Sequence, residues 1–220
     1  MRTHFKAIFL ILAFALALPT NAAYEVKQRD LKLPSQNPPR RIQIANAVLA
    51  DADRILNDNA GGGASGATVS SFLAQPDVCR VITVTPGGTT ADVGAGDITI
   101  TGTNAFGETI TDTITLTANQ STLGAGTKAF CAVTSIAFPA EDSPYGATFD
   151  VGVSDKLGLD RCMDGDAVLL TMFAGAYEGT RPTVTYDADE VEKNTVDING
   201  TLDGAKDIDL YFLENYACAP

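Results

Sequence analysis

The chain has no tryptophan and a single histidine, His4. A Ser-His-Asp or Cys-His catalytic site needs an imidazole as base, and zinc sites usually draw on one as ligand. His4 sits inside an N-terminal stretch that reads as a targeting segment, so it is badly placed for either task. The lack of tryptophan also removes a favoured stacking platform for sugars and leaves tyrosine to fill that role. Basic residues are scarce as well: 15 Lys and Arg stand against 27 Asp and Glu, for a net charge of −12, and Arg40-Arg41 is only a pair. Phosphate affinity comes from clustered Lys and Arg, so nucleic acid is not an expected partner. The acidity itself reads as solubility and resistance to self-association.

Two further motifs are missing. The glycine-rich stretch 59–66 (NAGGGASG) lacks the GK[ST] ending of a phosphate-binding loop and reads as a flexible linker. The cysteines, Cys79, Cys131, Cys162 and Cys218, are too far apart for a C-x-x-C metal or redox motif. In an exported chain they make two disulfides in any of three connectivities; in an unexported one they are scattered buried thiols.

What the chain has in abundance is alternation, centred on residues 96–116 (GDITITGTNAFGETITDTITL). Ile98 and Ile100 alternate with Thr99 and Thr101; Ile110, Ile114 and Leu116 alternate with Thr109, Thr111, Thr113 and Thr115. A period of two puts successive side chains on opposite faces. This predicts a half-buried antiparallel pair with isoleucine inside, threonine outside and residues 104–107 as the connection. Further strands are expected at 68–73, 80–85, 128–138, 147–153, 168–173, 181–186, 195–198 and 208–213. Turns are expected at 75–77 (QPD), 86–88 (PGG), 141–146 (EDSPYG) and 155–159 (DKLGL), with a charged edge or turn at 190–194. Many short strands between Gly, Pro and Asn turns predict a mainly β fold, an antiparallel β-sandwich or jelly-roll-like core. One short helix is expected in 41–57, where Ile42, Ala45, Val48, Leu49, Ala52, Ile55 and Leu56 fit a helical face.

The organisation along the chain follows from composition. Residues 1–22 read as a signal-peptide-like segment: a basic start with Arg2 and Lys6, then an apolar run too short for stable membrane insertion. Residues 23–65 read as an extended N-terminal arm and linker with Pro34, Pro38 and Pro39, residues 66–216 as the β-sandwich domain, and 217–220 as a tail.

Candidate chemistry is thin. Asp160, Asp164 and Asp166 (DRCMDGD) invite a calcium reading but lack the spacing of the EF-hand loop, so a solvated turn is expected. Asp187, Asp189, Glu190 and Glu192 form an acidic run, read as a loop; a glycosidase pair would need two carboxylates converging in a cleft. Residues 119–121 and 199–201 match the glycosylation sequon. No catalytic, cofactor-binding or metal-binding residue is assigned, and an enzyme is not expected. The threonine-rich faces suit strands, and as a polar, weakly charged surface they can meet a partner at little desolvation cost.

Five pieces in order over about two thirds of the chain carry a resemblance: QPDVCR (75–80), GDITITGTNAFGETITDTITL (96–116), GTKAFCAVTSIAFPA (126–140), SDKLGL (154–159) and EKNTVDINGTLDG (192–204). The sequence resembles a group of tailed-bacteriophage virion structural proteins. The resemblance carries no catalytic residues over. It implies a β-sandwich on the outside of a capsid or at the head-tail assembly, most naturally a decoration or cement subunit on the major capsid protein. A homotrimer is the natural guess at a symmetry axis. The signal-like start departs from that pattern, since such virions assemble in the cytoplasm. The alternative is an exported adhesin or fibre-like binding module.

Overall fold

The computed structural model describes residues 39–213. The signal-like segment 1–22, residues 23–38 of the expected arm, the tail 217–220 and Cys218 lie outside the described residues. The protein is mainly antiparallel β with several sheets, a β-sandwich-like fold, as the alternating pattern predicts.

Three sheets are present among the described residues. The first contains β1 (Arg40–Ile44), β10 (Val168–Phe173), β11 (Ala176–Tyr177) and β14 (Ile208–Phe212), in the order β1-β14-β10-β11. The second and largest is built on β9 (Ala147–Gly158). It runs β12 (Thr183–Thr185), β13 (Thr195–Asp197), β9, β4 (Arg80–Gly88), β7 (Gly124–Phe130), and β2 (Asp51–Ala60) also pairs with β9. The third has the order β3 (Ala67–Val69), β8 (Ala132–Phe138), β5 (Gly96–Thr103), β6 (Thr109–Leu116).

The isoleucine–threonine hairpin forms as its periodicity dictates. Ile98 lies opposite Ile114 and Thr99 opposite Thr113, and β6 alternates exposed and buried at every residue. One inward position breaks the apolar rule: Asp112 shares the buried face with Ile110 and Ile114. Its carboxylate accepts hydrogen bonds from Thr127 N (2.6 Å) and Lys128 N (2.9 Å) on β7. It thereby satisfies backbone donors at the corner where the third sheet meets the second, which is what lets a carboxylate sit there.

Two cores result. The first packs Ile98, Ile100, Ile114, Leu116, Ile136 and Phe138 of the third sheet against Ile55, Ile82, Val84, Phe149, Val151 and Val153 of the second. The second core packs Ile44, Ile208 and Leu210 of the first sheet against Leu157 and Val196, with Leu159, Met163 and Leu202 from loops. Strand β9 serves both, its first half in one core and Leu157 in the other. Between them Arg80 is fully buried. Its Nε meets Asp77 Oδ1 at 2.8 Å, Nη1 donates to Ser154 O at 2.9 Å, and Nη2 donates to Val48 O.

Several local expectations are corrected. The short helix within 41–57 is absent: β1 and β2 occupy that span, paired with β14 and β9 from far along the chain. Ile42 and Ile44 alternate, and non-local pairing overrides the helical spacing. The arm-and-linker reading of 23–65 therefore gives way from Arg40 onward, where the chain supplies two sheet strands. The PGG at 86–88 is not a turn, because β4 continues through it opposite residues 147–149 of β9. Beyond Val84 the β7 side of β4 has no ladder partner, so Pro86 lies where a missing N–H costs nothing. DKLGL at 155–159 continues β9 to Gly158 rather than turning. The run 128–138 is two strands in different sheets, broken at Cys131.

Candidate functional site

Two features stand out, a buried polar cluster beside a cleft and a hydroxyl-rich sheet face. The first lies where the β5–β6 connection approaches a 3-10 turn at Val191–Lys193. Asn104 closes the connection: its Oδ1 accepts from Phe106 N (2.9 Å) and Glu108 N (3.0 Å), and Gly107 N donates to Asn104 O (3.0 Å). This Asx-type arrangement is what asparagine does at a turn. Its amide nitrogen faces the other way and donates to Glu108 Oε2 (3.0 Å) and Glu192 Oε2 (3.3 Å). The second oxygen of Glu192 holds Lys128 Nζ of β7 at 3.0 Å, and Glu190 Oε1 holds the same ammonium at 2.7 Å. Asn104 is 2% exposed and Glu192 7%.

The turn that carries both glutamates is fixed by Asn194, which is fully buried. Its amide nitrogen donates to Asp187 O and Glu190 O, each at 2.9 Å, and its Oδ1 accepts from Met163 N and Asp187 N, each at 3.0 Å. The charges tune one another. Desolvation alone would lower the Lys128 pKa, but hydrogen bonds to Glu190 and Glu192 outweigh it and raise the value. Hydrogen bonds from Lys128 and then Lys193 hold Glu190 below the usual carboxylate range. Beside this cluster opens a cleft of about 440 Å³, lined among others by Asn104, Phe106, Glu108, Glu190 and Glu192.

The second feature is the outer face of the third sheet. Thr113, Thr99 and Ala137 lie in one row with Thr68; Thr111, Thr101 and Ser135 lie in the next. Thr109, Thr111, Thr113 and Thr115 are all exposed. Asp97 is the one charge in these rows of β5 and β6, and it accepts a hydrogen bond from Thr115 Oγ1 (2.7 Å).

The residues singled out from sequence scatter differently. Asp160 pairs with Arg161 and Asp166 with Arg181, each at 2.8 Å. Among the described residues no three of His, Cys, Asp and Glu gather where they could hold a metal ion. In the acidic run, Asp187 accepts from Asp189 N and Glu190 N (both 2.9 Å), while Glu190 and Glu192 turn toward Lys128. Asn119 has a left-handed backbone with φ 61°, and the Asn199 amide donates to Thr180 O and Arg181 O. Of the three open pairings for Cys79, the structure forms the one with Cys131, and Cys162 is disulfide-bonded as well. Sequence reading passed over Asn104 and Lys128. Glu192 lies 88 residues from the first and 64 from the second, so no local motif could flag the cluster.

No helix among the described residues is long and apolar enough to cross a membrane. No family model matches the chain, and neither a curated protein nor a solved structure does.

Proposed function

We propose that the chain is a non-enzymatic structural protein that covers and stabilises a larger assembly, in the manner of a capsid decoration or cement subunit on a phage shell. The observation that carries this reading is the hydroxyl-rich outer face of the third sheet, broad, regular and nearly free of charge. Such a face meets a partner surface without burying an unpaired charge, and its hydroxyls offer donors and acceptors that hydrogen bonds across the contact would satisfy. A protein that binds only the assembled lattice stabilises it by mass action, and repetition about a symmetry axis favours a closed homo-oligomer such as a trimer. Residues 24–41, extended and proline-bearing by composition, are the candidate for reaching a neighbouring subunit, although Arg40 and Arg41 belong to β1.

The test is co-sedimentation of the full chain with particles from its source, beside Thr111→Lys with Thr113→Lys. Both sites are exposed, so the variant is expected to keep its melting temperature and lose particle occupancy. Unchanged occupancy would sink the threonine face as the contact. A second reading, an exported binding module, is favoured by a different observation: the Cys79–Cys131 disulfide and the bonded state of Cys162 suit an oxidising compartment. Intact mass of the native protein separates the two. A chain beginning near Ala23 and found outside particles supports export; one retaining residues 1–22 in the particle fraction supports the virion role.

A further inference from the structure

We propose that Lys128 and Asn104 are the two partners of an intramolecular isopeptide bond, formed with Glu192 as the proton carrier. The geometry is that of an amide prepared for attack. The Asn104 carbonyl oxygen is held by two backbone N–H groups, from Phe106 (2.9 Å) and Glu108 (3.0 Å). These are the donors an oxyanion would need once the carbon becomes tetrahedral. The leaving nitrogen lies against two carboxylates, Glu108 and Glu192. Glu192 is the hinge of the arrangement, because one of its oxygens holds the nitrogen that must leave and the other holds the lysine nitrogen that must attack. All three groups are shielded: Asn104 and Glu192 are buried, and the Lys128 side chain is 18% exposed. Low local polarity strengthens each of these contacts.

The step balances without a co-reactant. Lys128 Nζ passes a proton to Glu192 and its lone pair attacks Asn104 Cγ. The charge that develops on Oδ1 falls to the N–H groups of Phe106 and Glu108. The Cγ–Nδ2 bond then breaks as Glu192 delivers the first proton to the departing nitrogen, the second proton on the former lysine nitrogen follows through the same carboxylate, and the nitrogen leaves by the adjoining cleft as ammonium. Counted from the ammonium form of lysine, the products are a neutral secondary amide and one ammonium ion, with nothing oxidised or reduced. The attack requires the lysine stem to swing Nζ to roughly 3–3.5 Å from the carbon. Glu190 and Glu192 favour the ammonium form, so bond formation is expected to speed up as pH rises.

The bond would join the connection after β5 to β7, stapling the third sheet to the second at the corner where Asp112 already links them. It serves a shell-covering or an exported protein equally, and it does not rest on either reading.

The test is intact-mass spectrometry of the full chain after prolonged incubation at alkaline pH, with tandem sequencing of the digest. The expected result is a protein lighter by one ammonia and a branched peptide joining Lys128 to Asn104. Lys128→Arg keeps both ion pairs and is expected to keep the fold and the full mass. Asn104→Asp is expected to lose one water instead of ammonia, and Glu192→Gln to slow the loss at least tenfold, with the rate read well below the variant's own melting temperature. A wild-type chain of full mass with no branched peptide would overturn the proposal. So would an ammonia loss that survives Lys128→Arg, which would mark cyclisation of Asn104 onto the backbone of Ala105.

Discussion

The two cores of this molecule solve the same problem by different means. The first is made of eighteen buried apolar residues among those described, most of them alternating positions of regular strands. It is closed by burial, which is non-directional and tolerant. The second has ten such residues, and its walls include loops. There, buried polar side chains take over: Asn194 alone holds the backbone of residues 187, 190 and 163 in place. Strands satisfy their own backbone, whereas loops must borrow partners from side chains. The first core therefore depends mainly on shape, with directed contacts from Asp92, Asp112 and Glu141 confined to its margins, whereas in the second a few hydrogen bonds hold the loops that form its walls.

The sharpest way to break this comparison is at the junction. Arg80 reaches Asp77, the Val48 carbonyl and the Ser154 carbonyl in a site closed to water. Removing one partner of a buried ion pair leaves the other uncompensated, at a cost of about 3–5 kcal/mol. Arg80→Ala is expected to lose that much in urea unfolding and to destabilise both cores at once. A loss confined to one core, read by hydrogen exchange, would show that the junction does not couple them.

Next come matched truncations, Ile100→Ala in the first core and Leu210→Ala in the second. Both side chains are fully buried, and each change is expected to cost about 2–5 kcal/mol. The distinction lies in where exchange accelerates. Ile100→Ala should raise it throughout, because β9 and β4 rest on that core. Leu210→Ala should raise it in β1, β10 and β14 while β5 and β6 stay protected. Equal acceleration everywhere in both variants would make the two cores one cooperative unit.

The same division explains what the sequence made legible. The first core was readable because a single strand pair carries its own signal: Ile98, Ile100, Ile110 and Ile114 declare the inward face. Even so, Asp112 on that face escaped notice, since its partners Thr127 and Lys128 belong to a later strand. The expected helix in 41–57 failed because Ile42, Val48, Ile55 and Leu56 satisfy a helical face on paper. Their actual partners, such as Leu210 opposite Ile42 and Val151 opposite Leu56, lie more than ninety residues away. The candidate site was invisible for the same reason. Asn104 reads as a turn residue, Lys128 as a strand residue and Glu192 as part of an acidic loop, and only the fold brings them to one carboxylate.

Asn194→Ala probes the second core's dependence on hydrogen bonds directly. It leaves Asp187 N without its acceptor and frees the carbonyls of Asp187 and Glu190, for an expected loss of about 1–3 kcal/mol. The effect should be local, with residues 187–194 exchanging faster and Ile98 and Ile114 unaffected. A loss spread evenly over both cores would contradict the division.

The smallest change runs in the opposite direction. Asp197 ends β13 beside the second core, and burial, followed by the nearby charge of Asp155, raises its pKa. A carboxylate raised in the folded state costs stability while ionised: the penalty is in full force above the folded pKa and vanishes as pH falls below the unfolded value of about 3.9. Asp197→Asn removes the ionisation and keeps the shape. It is expected to raise the melting temperature slightly at neutral pH and to leave it unchanged in acid, where wild type is protonated as well. Lys156 offsets part of the penalty, so the gain should grow in a Lys156→Met background. If instead the variant were less stable at neutral pH, the ionised carboxylate would be holding a backbone donor, as Asp112 does in the first core. The second core would then rely on directed polar contacts even at its strand ends.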